Sequence, residues 1–172
     1  MNSVVVFYFS GHGIEVAGRP YIASIGSERL KGSGEEIPKS FVAVSDVAAE
    51  LAKRFAAVYI VFDASRGSAP HLGQPDGFIP IGSLFGAIPQ VRSVVFASGP
   101  NEGPLDAGPA FKTQSPFSRA FASQVDSDWP DLDTILARVR ERVNRATAGR
   151  QTPDWYRAPL EKKHREETRL ER

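Results

Sequence analysis

Two apolar runs of strand length, each ending in a turn of small and polar residues, constrain this chain most. Val4-Val5-Val6-Phe7-Tyr8-Phe9 leads into Ser10-Gly11-His12-Gly13. Val58-Tyr59-Ile60-Val61-Phe62 leads into Asp63-Ala64-Ser65-Arg66-Gly67. Neither run alternates apolar with polar residues. That pattern suits strands covered on both faces, as in a parallel sheet. Both turns then stand at the C-terminal ends of strands, the edge where open parallel sheets bind ligands. A histidine on one tip and a hydroxyl on the next is the layout of a base and a nucleophile.

The intervening chain supports a strand-helix-strand unit. Ile14 to Ile25 reads as a hairpin turning at Ala17-Gly18-Arg19-Pro20. A charged, glycine-rich loop follows from Glu28 to Glu36. Ser45 or Asp46 is expected to cap a helix reaching Ala57, with Val47, Leu51 and Phe55 on one face. The second strand follows at once, so parallel pairing through a right-handed crossover is the default. Ser68 to Gln90 is rich in glycine and proline and reads as a long functional loop. A third strand is expected over Ser93 to Ala97, and another loop over Ser98 to Thr113. Ser115-Pro116 opens a helix to about Gln124, with proline suited to the first turn. A longer helix begins near Pro130. Its apolar face runs through Leu132, Ile135, Leu136, Val139, Val143 and Ala146 to a stop at Gly149. Gln151 to Leu160 suits an edge strand. The expected domain is 1–160, with 161–172 a charged, solvated tail.

At 172 residues with a formal net charge of +1, the chain has the length of one domain and no charge bias. Nothing in that balance points to nucleic acid or an anionic membrane. There is no cysteine, so disulfides and thiolate metal sites are excluded. No signal peptide or membrane-length apolar run is evident, and the cytoplasm is the default location.

The two tips together resemble the caspase-like clan of cysteine peptidases, in particular its bacterial metacaspase-like (orthocaspase) branch. That family carries a tyrosine-serine-glycine-histidine-glycine turn on one strand and aspartate-alanine-cysteine-arginine on the next. Tyr8-Phe9-Ser10-Gly11-His12-Gly13 resembles the first, with one extra residue after the tyrosine. Asp63-Ala64-Ser65-Arg66 resembles the second, except that serine stands at the cysteine position. Val16 through Tyr21 is similar to the family's hairpin, and Ser115-Pro116-Phe117 to a helix start. Arg138 through Pro153 is similar to the last helix and its exit. The resemblance spans nearly the whole chain in family order. It implies an open, mainly parallel α/β sheet with helices on both faces. The family's domain opens with further strands and a helix that have no counterpart here. The expectation is therefore a sheet incomplete at its N-terminal side. The chain would be a fragment, half of a split domain, or a protein whose sheet is completed by a partner chain or by self-association. The apolar run at residue 4 then has a bare edge.

The resemblance also implies roles. His12 would act as base, residue 65 as nucleophile and the Gly13 N–H as an oxyanion donor. Asp63, Asp106 and Ser10 would form the substrate pocket, with Glu102 a less secure acid. Carboxylates there favour a basic side chain, and arginine can pair with them bidentately. The implied parent activity is cleavage of a peptide or protein substrate after Arg or Lys. Serine at position 65 works against that activity. A thiol ionises near neutrality beside a histidine. A hydroxyl does not, and needs an oriented base to take its proton. Three readings stay open: an inactivating Cys→Ser replacement, a natural pseudoprotease that binds a basic peptide or partner, and a working serine hydrolase. No cofactor is expected. Calcium is used by many metacaspases, but Asp126, Asp128, Asp131 and Asp133 do not match the EF-hand pattern and read as helix-start residues, and no metal site is assigned.

Overall fold

The computed structural model describes residues 3–24, 41–64, 80–99, 114–125 and 132–159. Ser65, Arg66, Glu102, Asp106, Asp126, Asp128, Asp131 and the charged tail lie outside them. The chain is an α/β fold around a mixed, mainly parallel sheet. Its strands are β1 (Val4–Gly11), β5 (Ala57–Ala64), β6 (Val91–Phe96) and β7 (Asp154–Arg157), in that spatial order. β1, β5 and β6 are parallel, and β7 closes the far edge antiparallel to β6. A second, antiparallel sheet holds β2 (Gly13–Val16), β3 (Arg19–Ala23) and β4 (Phe41–Ala43).

The expected hairpin forms between β2 and β3. Its two turn residues, Ala17 and Gly18, have φ of 51° and 81°. Positive φ at both central positions gives the twist that a two-residue hairpin needs. Ala17 adopts it at some steric cost, whereas Gly18 does so freely.

Helices cover both faces of the main sheet. On one face, α1 (Val44–Ala52) and α2 (Ile81–Gly86) pack on Val58, Ile60, Phe62, Val94 and Phe96. On the other, α3 (Pro116–Val125) and α4 (Leu132–Ala146) pack on Val61, Val95 and Ala97 through Phe117, Ile135, Leu136, Val139 and Val143. The 3.6-residue spacing on α4 marks its buried face from Ile135 to Val143 as expected, but Ala146 is exposed and fully buried Thr147 takes the next inward position. Gly149 closes that helix by donating its N–H to Asn144 O at 2.8 Å.

Several local expectations need correction. α1 starts at Val44 and ends at Ala52, short of Ala57. Its N-cap is Ala43, without a side-chain cap bond, rather than Ser45 or Asp46. β4 runs directly into this helix, and burial of Val44, Ser45 and Ala48 sets its start. After Ala52 the chain turns through Lys53 and Arg54, yet Phe55 still packs on the same core. Phe55 thus kept the helical spacing without being helical. β4 itself and α2 were not anticipated. α2 lies in a stretch whose glycines weaken helix propensity. The full burial of Phe85 overrides that local preference.

β1 departs most from its pattern. It is apolar throughout, but its residues alternate between exposed and half-buried. Val5, Phe7 and Phe9 pack against the α1/α2 core. Val4 and Val6 on the other face are 62% and 60% exposed. The α3/α4 layer packs on β5 and β6 and meets β1 at Tyr8, whose ring lies beside Phe121, but it leaves Val4 and Val6 uncovered. Val4, Val6, Tyr59, Phe121, Val125 and Leu132 line the resulting apolar groove of about 630 Å³. Among the described residues β1 pairs only with β5, so it is an edge strand.

Candidate functional site

Parallel pairing brings the two predicted tips side by side. In register, Ser10 lies opposite Asp63 and Gly11 opposite Ala64. His12 follows at once, exposed, in the single-residue link between β1 and β2. Its carbonyl accepts the Ala23 N–H at 2.9 Å, so β3 anchors its backbone. This bond makes Gly13 and Ile22 a non-hydrogen-bonded pair, and the Gly13 N–H points away from β3.

The first tip needs its glycine for space. A Cβ on Gly11 would stand 2.9 Å from Phe9 Cζ. The Phe9 ring in turn stacks on Phe62, centroids 5.7 Å apart. The turn carrying His12 is thus seated directly on the core.

Asp63 is 3% exposed, although it sits at a strand end. The Tyr8 hydroxyl donates to its Oδ2 at 2.9 Å. The Ser115 hydroxyl donates to the same oxygen at 2.7 Å. Ser115 also caps α3, because its Oγ accepts the Ser118 N–H at 2.9 Å. The start of α3 therefore faces the carboxylate, an orientation the helix dipole favours. Burial, and then the nearby Asp63 charge and its hydrogen bond, raise the Tyr8 pKa well above that of an ordinary tyrosine. Tyr8 is consequently a fixed proton donor to Asp63.

The residues flanking Asp63 are held as well. The Ser98 hydroxyl reaches Ala64 O at 3.4 Å, and the Ala97 N–H reaches Phe62 O at 3.0 Å. Fully buried Gln151 donates its Nε2–H to Ala97 O at 2.8 Å. The chain therefore leaves β5 toward residue 65 from a well-anchored backbone.

Of the predicted site residues, the structure brings together Ser10, His12, Gly13 and Asp63. Ser65 and Asp106 fall outside the described residues. Tyr8 and Ser115 were quoted in the sequence motifs but given no role beside Asp63. Strand parity was the available signal for Tyr8, two residues before Ser10 on the same face. For Ser115 the signal was its place at a helix start. The Asp133 carboxylate pairs with Arg157 at the start of α4. Among the described residues no cluster of three or more His, Asp or Glu has metal-binding geometry. Among them, too, no helix is long and apolar enough to cross a membrane.

No curated protein matches the chain. The crystal structure of protein GSU0716 from Geobacter sulfurreducens is similar at a TM-score of 0.52 and 13% identity. That match covers 95% of this chain and 69% of the other. At this identity the likeness is one of fold. The family model for the caspase domain of the C14 peptidases matches residues 1–165. With the tip order, the parallel register and the helices on both faces, that match identifies the chain as a member of the caspase-domain peptidase family.

Proposed function

We propose that the cleft at the C-terminal tips of β1 and β5 binds peptides at an Arg or Lys residue. The parent chemistry is hydrolysis of the following peptide bond. His12 is the base, residue 65 carries the nucleophile, and the Gly13 N–H stabilises the oxyanion. Asp63 and Ser10 lie beside that dyad, and Asp106 adds a second carboxylate from the loop after β6. The observation that carries this reading is the register of Ser10 with Asp63, one strand over from the residues leading into His12. A buried carboxylate at that position favours a cationic side chain, and a guanidinium can pair with it in two places.

With serine at position 65 the chain is expected to be inactive or nearly so. A site that relies on a thiolate lacks the oriented base that a hydroxyl requires. Loss of the nucleophile in a serine protease costs on the order of 10⁶ in turnover. Ser65 itself favours a second reading, in which the domain binds a basic peptide or partner without cleaving it.

The deciding experiment is Ser65→Cys, assayed with arginyl, lysyl and aspartyl peptide substrates. Cleavage after Arg or Lys that disappears on His12→Ala supports the peptidase reading. No cleavage, with arginyl peptides still binding, supports the binding module. Cleavage after Asp, or no selective binding at all, overturns the basic-residue assignment.

A further inference from the structure

Asp63 has two hydroxyl partners that no catalytic role accounts for. They come from different elements, Tyr8 on β1 and Ser115 at the start of α3. Both donate to one carboxylate oxygen, at 2.9 and 2.7 Å. A carboxylate at a strand end is ordinarily free to rotate about its terminal torsion. Two converging donors remove that freedom.

The donors are themselves held. The Tyr8 ring lies 6.1 Å from that of Phe121, centroid to centroid, and Phe121 stacks on Phe117 at 5.7 Å. Phe117 is fully buried. Ser115 is fixed from its other side by the Ser118 N–H it caps. The Ser118 hydroxyl closes the turn by donating to Ser115 O at 3.1 Å. The Ser115 hydroxyl also lies 3.1 Å from the Ser118 hydroxyl, but the carboxylate at 2.7 Å is the nearer and charged acceptor, and a charged acceptor makes the stronger bond.

We propose that Tyr8 and Ser115 are positioning residues that aim the Asp63 carboxylate at the basic side chain of a bound peptide. This rests on the reading of Asp63 as a substrate-binding group. Bidentate recognition of a guanidinium depends on the plane of the carboxylate. A carboxylate that must be turned on binding loses affinity to that ordering, whereas a preset one does not. The raised Tyr8 pKa is consistent with this role, because a tyrosine that keeps its proton always presents a donor. The arrangement also couples specificity to α3: the residue that starts the helix is the one that sets the carboxylate.

The test uses the Ser65→Cys chain with a blocked Gly-Gly-Arg fluorogenic substrate and its norleucine counterpart. Tyr8→Phe and Ser115→Ala are each expected to raise KM for the arginyl substrate roughly tenfold, with kcat changed less than about twofold. The norleucine substrate should be unaffected. Ser115→Thr keeps both the donor and the cap and should restore the arginyl KM. A purely structural role would lower the melting temperature and the active fraction, reducing kcat with KM unchanged. That result, or equal losses on both substrates, overturns the proposal and leaves the basic-residue reading standing. If cysteine restores no cleavage, calorimetry of the Ser65 chain with a blocked Gly-Gly-Arg amide provides the same comparison as affinities. Failure of the unmutated Ser65 chain to prefer that amide over its norleucine counterpart would remove the basic-residue reading, and the proposal with it.

Discussion

The Tyr8 hydroxyl lies 2.9 Å from the Asp63 carboxylate, a diagonal reach between adjacent parallel strands whose direct partners are Tyr8–Val61 and Ser10–Asp63. It ties the edge strand that leads to His12 to the central strand that leads to position 65. The two strands whose ends lead to His12 and to position 65 thus share a side-chain bond as well as their ladder. The bond has a consequence for alkaline stability. The folded chain holds the Tyr8 proton more tightly than the unfolded chain, whose tyrosine ionises near its ordinary pKa of 10.0. A raised pKa contributes stability that is fully present below that value and is lost as pH rises above it. The parent should therefore lose melting temperature more steeply than Tyr8→Phe between pH 9.5 and 11.5. The half-exposed ring softens the difference through solvent screening. Parallel pH profiles for the two proteins would count against the bond.

Gly11→Ala should destabilise the fold through a specific collision. Its new methyl would stand 2.9 Å from the tip of the Phe9 ring, which is held in place by its stack on Phe62. Relief requires moving Phe9 or the strand, at a cost of about 1–3 kcal/mol, as for other overpacked sites. Urea denaturation should show a lower midpoint with an unchanged slope. Phe9→Leu in the same chain should recover part of the loss by removing the ring tip. If Gly11→Ala is neutral, the turn has room that the geometry denies.

Gln151 offers a test away from the tips. It is fully buried, donating its side-chain N–H to Ala97 O and its backbone N–H to Thr147 Oγ1. Gln151→Leu keeps most of the volume but leaves the Ala97 carbonyl without that donor. The expected cost is about 1–3 kcal/mol, the desolvation penalty of an unsatisfied buried group. Hydrogen exchange should show the loss locally at the end of β6. A loss spread evenly over the domain would mean that Gln151 acts by packing alone.

Much of this arrangement could be read in the sequence, and the failures share a physical cause. The strand runs at Val4 and Val58 declared themselves by unbroken apolarity over a strand's length, and the α4 stripe from Leu132 to Val143 by burial at a fixed period. The tip pairing followed from two parallel strands with turns at the same end. Phe85 gave no such signal, because a short helix held by one buried ring has no period to detect. The pocket role proposed for Asp63 came only through family resemblance. Its clamp was hidden because Tyr8 and Ser115 come from far apart in the chain. Exposure of Val4 and Val6 was not evident from composition either. An apolar run indicates that a strand seeks cover, and only the packing of α3 and α4 reveals how far that cover extends.

The bare face of β1 supplies the last prediction. Val4 and Val6 border an apolar groove, and among the described residues the strand's outer edge has no partner strand. An exposed, apolar edge is a template for pairing with another chain. At micromolar concentration the protein should therefore self-associate, with an apparent mass in light scattering that rises with concentration. Val6→Lys places a charge on that face, and a lysine there opposes both strand addition and apolar contact. Because Val6 is mostly exposed, the substitution should change folding stability by less than about 0.5 kcal/mol. The variant should run as a monomer over the range in which the parent associates. Val42→Lys serves as the control: Val42 is also exposed but lies on β4 in the other sheet, and it should leave the association intact. A parent that stays monomeric throughout, or a Val42→Lys chain that dissociates as fully as Val6→Lys, would show that association does not run through β1.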